Sequence, residues 1–273
     1  MKVPAEGLQY HVEIYGNGFP LVLLHGFTGD SSTWSPFHEQ WGTHSQLIIP
    51  DIIGHGQTEL SHDVNRYKME KAASDLKTIL DQLKVSRIDL LGYSMGGRLA
   101  LSFAILFPGR VRKLILESSS PGLLMEAERK RRRESDAKLA QFIREQGVKA
   151  FVDYWEDIPL FATMKRLPSA VKEKIRKQRL NNSSEGLANS LLGMGTGSQP
   201  SWWGPPLRNL DCEVLLVTGK EDEKFCGIAH NMMKELKNAS WITIENSGHT
   251  IHVEEFEKFG TIVSDFVSGI NGM

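Results

Sequence analysis

Three segments of this chain carry residue types that could together activate a hydroxyl. Gly92-Tyr93-Ser94-Met95-Gly96 sets a serine between glycines, after an apolar run and before a helical pattern. A sharp strand-to-helix turn leaves no room for side chains beside such a serine. Glycines therefore flank it, and its hydroxyl is pushed out above the sheet. The backbone amide of Met95, at the helix start, would face a developing oxyanion. A serine hydroxyl is a weak nucleophile and a weak base until an imidazole takes its proton. Asn246-Ser247-Gly248-His249 follows the last predicted strand and puts His249 on a loop suited to that task. His252 competes with it, but it begins the final helical pattern and reads as a packing or capping residue. His230 lies inside a helical pattern and reads as a surface or packing residue.

The imidazole needs an acid to fix its tautomer and stabilise its charged form. Thr218-Gly219-Lys220-Glu221-Asp222-Glu223 follows another predicted strand. Asp222 is favoured by its offset after Thr-Gly, whereas Glu221 and Glu223 read as a solvated acidic loop. His25-Gly26-Phe27 follows the apolar run Leu21 to Leu24, and Phe27 would give a second oxyanion amide beside Met95. His25 reads as structural. So do Asp51 and His55 in the loop Asp51-x-x-Gly54-His55-Gly56.

These loops need a scaffold of strands that end together. Leu8 to Tyr15 reads as an edge strand. Short apolar runs at Leu21–Leu24, Leu47–Pro50, Ile88–Leu91, Lys113–Leu116, Glu213–Val217 and Trp241–Ile244 read as strands buried on both faces. Helical spacing fills Tyr67–Leu83, Leu99–Phe107, Phe225–Leu236 and Glu254–Val267. The alternation predicts an α/β fold, a mostly parallel twisted sheet with helices on both faces. It lapses between about Pro121 and Arg208, which looks helical throughout. The expected organisation is a core of residues 1–120 and 209–273 with a helical cap, 121–208, inserted.

The 273 residues carry a formal net charge of −1, with 40% hydrophobic and 24% charged residues. That balance allows a sizeable core and gives no reason to expect nucleic acid or membrane partners. The N-terminus lacks an apolar signal core, and no apolar run is long enough for a bilayer, so a soluble cytoplasmic protein is expected. Cys212 and Cys226 form no dense framework. A dinucleotide fingerprint and a spaced His/Cys cluster are both absent, so neither cofactor nor metal is expected. Charge is uneven, however. Residues 121–210 hold 16 Lys and Arg against 10 Asp and Glu, which favours a cap facing a small anionic ligand.

The motifs together resemble the α/β-hydrolase superfamily. Finer segments are similar to one family within it, the 2-succinyl-6-hydroxy-2,4-cyclohexadiene-1-carboxylate synthases of menaquinone biosynthesis. They are His25 to Asp30, Gly92 to Arg98, Glu117-x-x-x-Pro121-Gly122-Leu123, the run Arg129 to Arg133, Tyr154-Trp155-x-x-x-Pro159-x-Phe161, Arg179-x-Asn181-Asn182, Gly219-x-x-Asp222-x-Lys224-Phe225 and Gly248-His249-x-x-His252. The serines at 118–120 depart from the pattern and receive no role.

The resemblance implies a lyase. A base takes a ring proton, and pyruvate leaves to give a conjugated diene. Ser94, deprotonated through His249 and held by Asp222, would be that base. The resemblance also implies substrate contacts from Arg98, Arg132, Arg179, Tyr93 and Trp155. Guanidinium forks suit a polycarboxylate. Arg129 and Arg133 remain alternatives to Arg132, because a helix turns ~100° per residue and only part of the run can face a pocket. The competing reading is a serine hydrolase of small esters or carbon–carbon bonded diketones, working through an acyl-enzyme.

Overall fold

The apolar runs pair into one eight-stranded sheet in a computed structural model that describes residues 1–269. The strands are β1 (Lys2–Ala5), β2 (Leu8–Tyr15), β3 (Phe19–Leu24), β4 (Ser45–Pro50), β5 (Ile88–Tyr93), β6 (Val111–Glu117), β7 (Glu213–Gly219) and β8 (Ala239–Ile244). Their spatial order is β1-β2-β4-β3-β5-β6-β7-β8. β2 runs antiparallel to both its neighbours, and every other pairing is parallel. All of β5 is buried, because apolar side chains cover it from both faces.

Three helices precede β6: α1 (His38–Trp41), α2 (Met69–Gln82) and α3 (Met95–Leu106). α2 buries Met69, Ala72, Ala73, Leu76, Ile79 and Leu80, one stripe at helical spacing. Between β6 and β7 lie α4 (Glu126–Trp155), α5 (Ser169–Leu180), α6 (Ser184–Met194) and α7 (Pro205–Arg208). α4 breaks at Gly147, whose φ of +80° suits a residue without Cβ. This insert has a small core of its own, in which Ile143, Phe151 and Val152 of α4 meet Leu187, Ala188 and Leu191 of α6. Phe27, from the loop after β3, packs against the same cluster and joins insert to sheet. α8 (Glu223–Met233), α9 (Ile251–Glu254) and α10 (Phe256–Ser268) complete the chain.

Two expectations need correction. The strand from Leu8 to Tyr15 is not the edge, since β1 pairs outside it. β1 has four residues and a proline, too little pattern to read, and an outer strand tolerates proline's missing donor. The final helical pattern is also two helices, divided at Glu255, whose φ of −132° is not helical. Of the expected core segment 209–273, residues 270–273 lie outside the described residues. Among those described, no helix is long and apolar enough to cross a membrane.

The strand order creates the crevice. The chain adds β4 on one side of β3 and then β5 on the other. Loops leaving the carboxyl ends of β3 and β5 therefore diverge, which opens a ligand site between them. Leu24 pairs with Gly92, so the β3 loop starts beside the β5 turn.

Candidate active site

Ser94 occupies the turn from β5 to α3 with φ 51° and ψ −106°. Non-glycine residues in such regions cost of order 1–3 kcal/mol and persist only where the surroundings hold them. Here Ser94 N donates to Glu117 O at 2.9 Å, and Ser94 O accepts from Arg98 N at 3.0 Å and from Ser119 Oγ at 3.2 Å. The flanking glycines are steric requirements. A Cβ on Gly92 would strike the backbone of Gly96 and Gly97, and one on Gly96 would strike the carbonyls of Leu24 and His25.

His249 Nε2 lies 3.0 Å from Ser94 Oγ, and His249 Nδ1 lies 2.7 Å from Asp222 Oδ2. Three loops, after β5, β7 and β8, thus bring a hydroxyl, a carboxylate and an imidazole into one hydrogen-bonded chain. His249 is 1% exposed and Asp222 8% exposed, so water competes little for the acid–base contact. Asp222 Oδ1 also accepts from Phe225 N at 3.3 Å, which ties the acid to the start of α8. His252, by contrast, is committed elsewhere. Its Nδ1 lies 2.9 Å from Glu117 Oε1, inside the core.

The Met95 amide is the first of α3. The opening amides of a helix have no intrahelical acceptor and can bind an anion. Phe27 faces a cavity of about 410 Å³ between the β3 loop and α5. Tyr93, Phe161, Arg179, Thr250 and His252 also line it. The cavity reaches Tyr93 and Thr250, the chain neighbours of Ser94 and His249. Tyr93 Oη lies 3.0 Å from Thr250 Oγ1, and burial raises its phenol above the ordinary range, which keeps it neutral.

The five residues expected from resemblance to touch substrate do not share one lining. Tyr93 and Arg179 face the cavity, whereas Arg98, Arg132 and Trp155 lie outside it. Arg179 is buried, with its guanidinium 5.0 Å above the Phe161 ring and 3.5 Å from Glu156 Oε1. Burial pulls it below its ordinary value. Arg98 donates to Met194 O at 2.5 Å and to Gln199 Oε1. Burial of its guanidinium and then the nearby charge of Arg132 pull it down, while Asp136 opposes them. Arg132 Nε donates to both oxygens of Asp136, at 2.8 and 2.9 Å.

Helix geometry separates the basic run of α4. Arg129 reaches Gln199 O, Arg133 reaches Gly197 O and Glu126, and Lys130 and Arg131 are exposed. Only Arg132 pairs with Asp136 and lies close enough to Arg98 to shift it. Trp155 packs with its ring centroid 5.5 Å from Phe27 and 5.4 Å from Phe151. That is an aromatic cluster where the insert meets the β3 loop, and aromatic residues there carried no signal separating core from site.

Sequence reasoning missed the partners of these groups. Gln199, 1% exposed, joins Arg98 to Arg129 through its side chain and its carbonyl. Asp136, 4% exposed, is bonded to Arg132 and also feels the charge of Arg98. A buried Asp four residues after an arginine on one helix is a signal that could have singled out Arg132 from its neighbours.

The strand order, the elbow and the late imidazole define a class. The chain belongs to the α/β-hydrolase fold family, whose model matches residues 20–256. A Bacillus subtilis protein provisionally named 2-succinyl-6-hydroxy-2,4-cyclohexadiene-1-carboxylate synthase is 46% identical, over 97% of this chain and 97% of the relative. The synthase of that name from Photorhabdus laumondii is 32% identical over 92% of this chain and 86% of its own length. The solved structure of MenH from S. aureus superposes with a TM-score of 0.91 at 36% identity, covering 96% of this chain and 99% of that one. Within the fold family the chain therefore groups with these synthases, as a lyase on a hydrolase fold.

Proposed function

We propose that this chain acts in menaquinone biosynthesis as a pyruvate-eliminating lyase. Its substrate is 2-succinyl-5-enolpyruvyl-6-hydroxy-3-cyclohexene-1-carboxylate. Ser94, with its proton passed to His249 Nε2, removes the proton at ring C2. That electron pair forms the C2–C3 double bond, the ring double bond moves to C4–C5, and the C5–O bond breaks. The enolpyruvyl group departs and is released as pyruvate, leaving the 2,4-cyclohexadiene. Asp222 holds the His249 tautomer and stabilises the imidazolium. The amides of Phe27 and Met95 stabilise oxyanion charge as it develops. Residues 121–208 act as a cap over the core formed by 1–120 and 209–273. Arg98, Arg132 and Arg179, with Tyr93 and Trp155, receive the small polyanionic substrate.

The observation that supports this reading over an esterase is the guanidinium set. Arg98 and Arg132 share the neighbourhood of Asp136, and Arg179 lines the cavity beside Tyr93. An esterase for neutral acyl groups gains nothing from three buried or half-buried cations. The test supplies the enolpyruvyl-bearing compound and follows pyruvate release together with diene absorbance. The expected result is equal molar yields of the two products. Absence of pyruvate from a folded sample, or turnover of neutral esters through an acylated Ser94 alone, would sink the proposal.

A further inference from the structure

His249 must meet Ser94 and Asp222 at once, yet it sits on a loop rather than in a helix or strand. Two backbone amides flank it, and one side chain accepts from both. Gly248 N donates to Glu254 Oε2 at 3.1 Å, and Thr250 N donates to Glu254 Oε1 at 3.2 Å. The Glu254 side chain is 4% exposed. Hydrogen bonds to an ionised acceptor are roughly twice as strong as neutral ones. Helix capping accounts for one of the pair, because Thr250 precedes α9 and its amide has no intrahelical acceptor. It does not account for Gly248, which lies outside the helix on the far side of His249.

The insert adds a second tie. Arg166 approaches Glu254 Oε2 at 4.0 Å while donating to Glu221 Oε1 at 2.8 Å and to Asn246 O at 3.4 Å. Glu221 adjoins Asp222, and Asn246 opens the His249 loop. One carboxylate and one guanidinium thus join the loops that carry the acid and the imidazole. Thr163, also from the insert, lies where a Cβ on Gly248 would be, so the loop is confined from that side too.

We infer that Glu254 is a positioning residue that sets His249, with Arg166 as its outer partner. The inference rests on the proposed role of His249 as the group that takes the Ser94 proton. The two carboxylate oxygens fix the His249–Thr250 peptide plane and, one residue before His249, the Ser247–Gly248 plane, and so restrict the direction of its Cα–Cβ bond. A carboxamide at this position has one acceptor atom, and its other end turns an N–H toward an amide N–H. One bond is lost, the loop gains rotation, and Nε2 drifts from Ser94 Oγ.

Glu254→Gln in the full-length enzyme tests this with two readouts. Pyruvate release gives kcat and KM, and the low-field proton resonance of His249 Nδ1–H reports its bond to Asp222 without substrate. Misplacing a reacting group by about 1 Å can cost 10²-fold, so kcat should fall ~10–100-fold with KM within ~2-fold, and the resonance should shift or broaden. Glu254→Asp, one methylene shorter, cannot span both amides and should behave alike. Arg166→Ala, at a half-exposed side chain that the fold tolerates losing, should show a smaller change of the same kind and carries the test if position 254 proves intolerant. Unchanged kcat and resonance overturn the inference. So does a loss of kcat with the resonance unmoved, since Glu254 would then act elsewhere. The resonance is independent of the substrate, so it still judges Glu254 if the pyruvate assay itself fails.

Discussion

Two sets of candidate site residues are held by the protein in opposite ways. Ser94, His249 and Asp222 are bonded to one another, at 3.0 and 2.7 Å, from loops that leave the core sheet. The arginines are bonded to the protein instead: Arg98 to Met194 O and Gln199, Arg132 to Asp136, and Arg179 near Glu156. The first set is preorganised for proton movement before any ligand arrives. The second is a store of cations kept in place by partial neutralisation, and a carboxylate bound there, as proposed, would share or replace those partners. The difference suggests a division of labour, in which the core sets the rate of the chemical step and the cations set how tightly the anion is held.

The largest expected effect falls on the first set. Ser94→Ala removes the group proposed to take the ring proton and should lower kcat by at least about 10³-fold, with little change in KM. Steady-state pyruvate release measures both. A comparable rise in KM would break the proposed division, because it would give Ser94 a binding role. The second set should respond the other way. Arg98→Ala and Arg179→Ala would each remove a proposed charged contact worth roughly 1.5–3 kcal/mol, about 10–150-fold in kcat/KM. The loss should appear mainly in KM. Arg98→Lys should recover little, since an ammonium cannot reproduce the guanidinium fork. An unchanged kcat/KM in the Arg98 variant removes that residue from the site, and in the Arg179 variant it removes the cavity.

The same contrast explains what the sequence made legible. Ser94, Asp222 and His249 each stand on the loop that follows a strand, beside glycines that mark close approaches. Gly96, against Leu24 and His25, is such a case. Strand periodicity and glycine placement are local signals, so the hydrogen-bonded chain could be anticipated residue by residue. The cations depend on contacts distant in sequence. Arg98 meets residues 194 and 199, and Arg129 and Arg133 turn to the 197–199 loop. Nothing near Arg132 except Asp136 distinguishes it from its basic neighbours. Glu254 was invisible for a further reason, since its partners are backbone amides, which every residue but proline has. β1 was missed because four residues carry too few alternations to register.

A smaller effect tests whether the floor of the first set is held by neutral groups. His25 and His55 are buried beneath Phe27, with ring centroids 5.2 Å apart, and His25 Nε2 accepts from Ile52 N at 3.0 Å. An imidazole that accepts must be neutral at that nitrogen. Burial lowers both below the ordinary value of 6.5. His55 is carried to about 3, with the neighbouring His25 as the second cause. The unfolded chain therefore binds a proton at His55 near pH 6.5, while the folded chain resists until about pH 3. Protons favour the unfolded state throughout that window. Stability is fully present above 6.5 and falls as pH drops, by up to about 1.4 kcal/mol per pH unit for one such imidazole. Carboxylates also contribute to acid unfolding, so the informative quantity is a difference. Urea denaturation of the wild-type chain and His55→Phe between about pH 4.5 and 7 should show stability falling more steeply for wild type on acidification, because the variant lacks the group that must remain uncharged. Parallel curves would mean that His55 is charged in the fold, and the loop beneath Phe27 would then need a counter-ion.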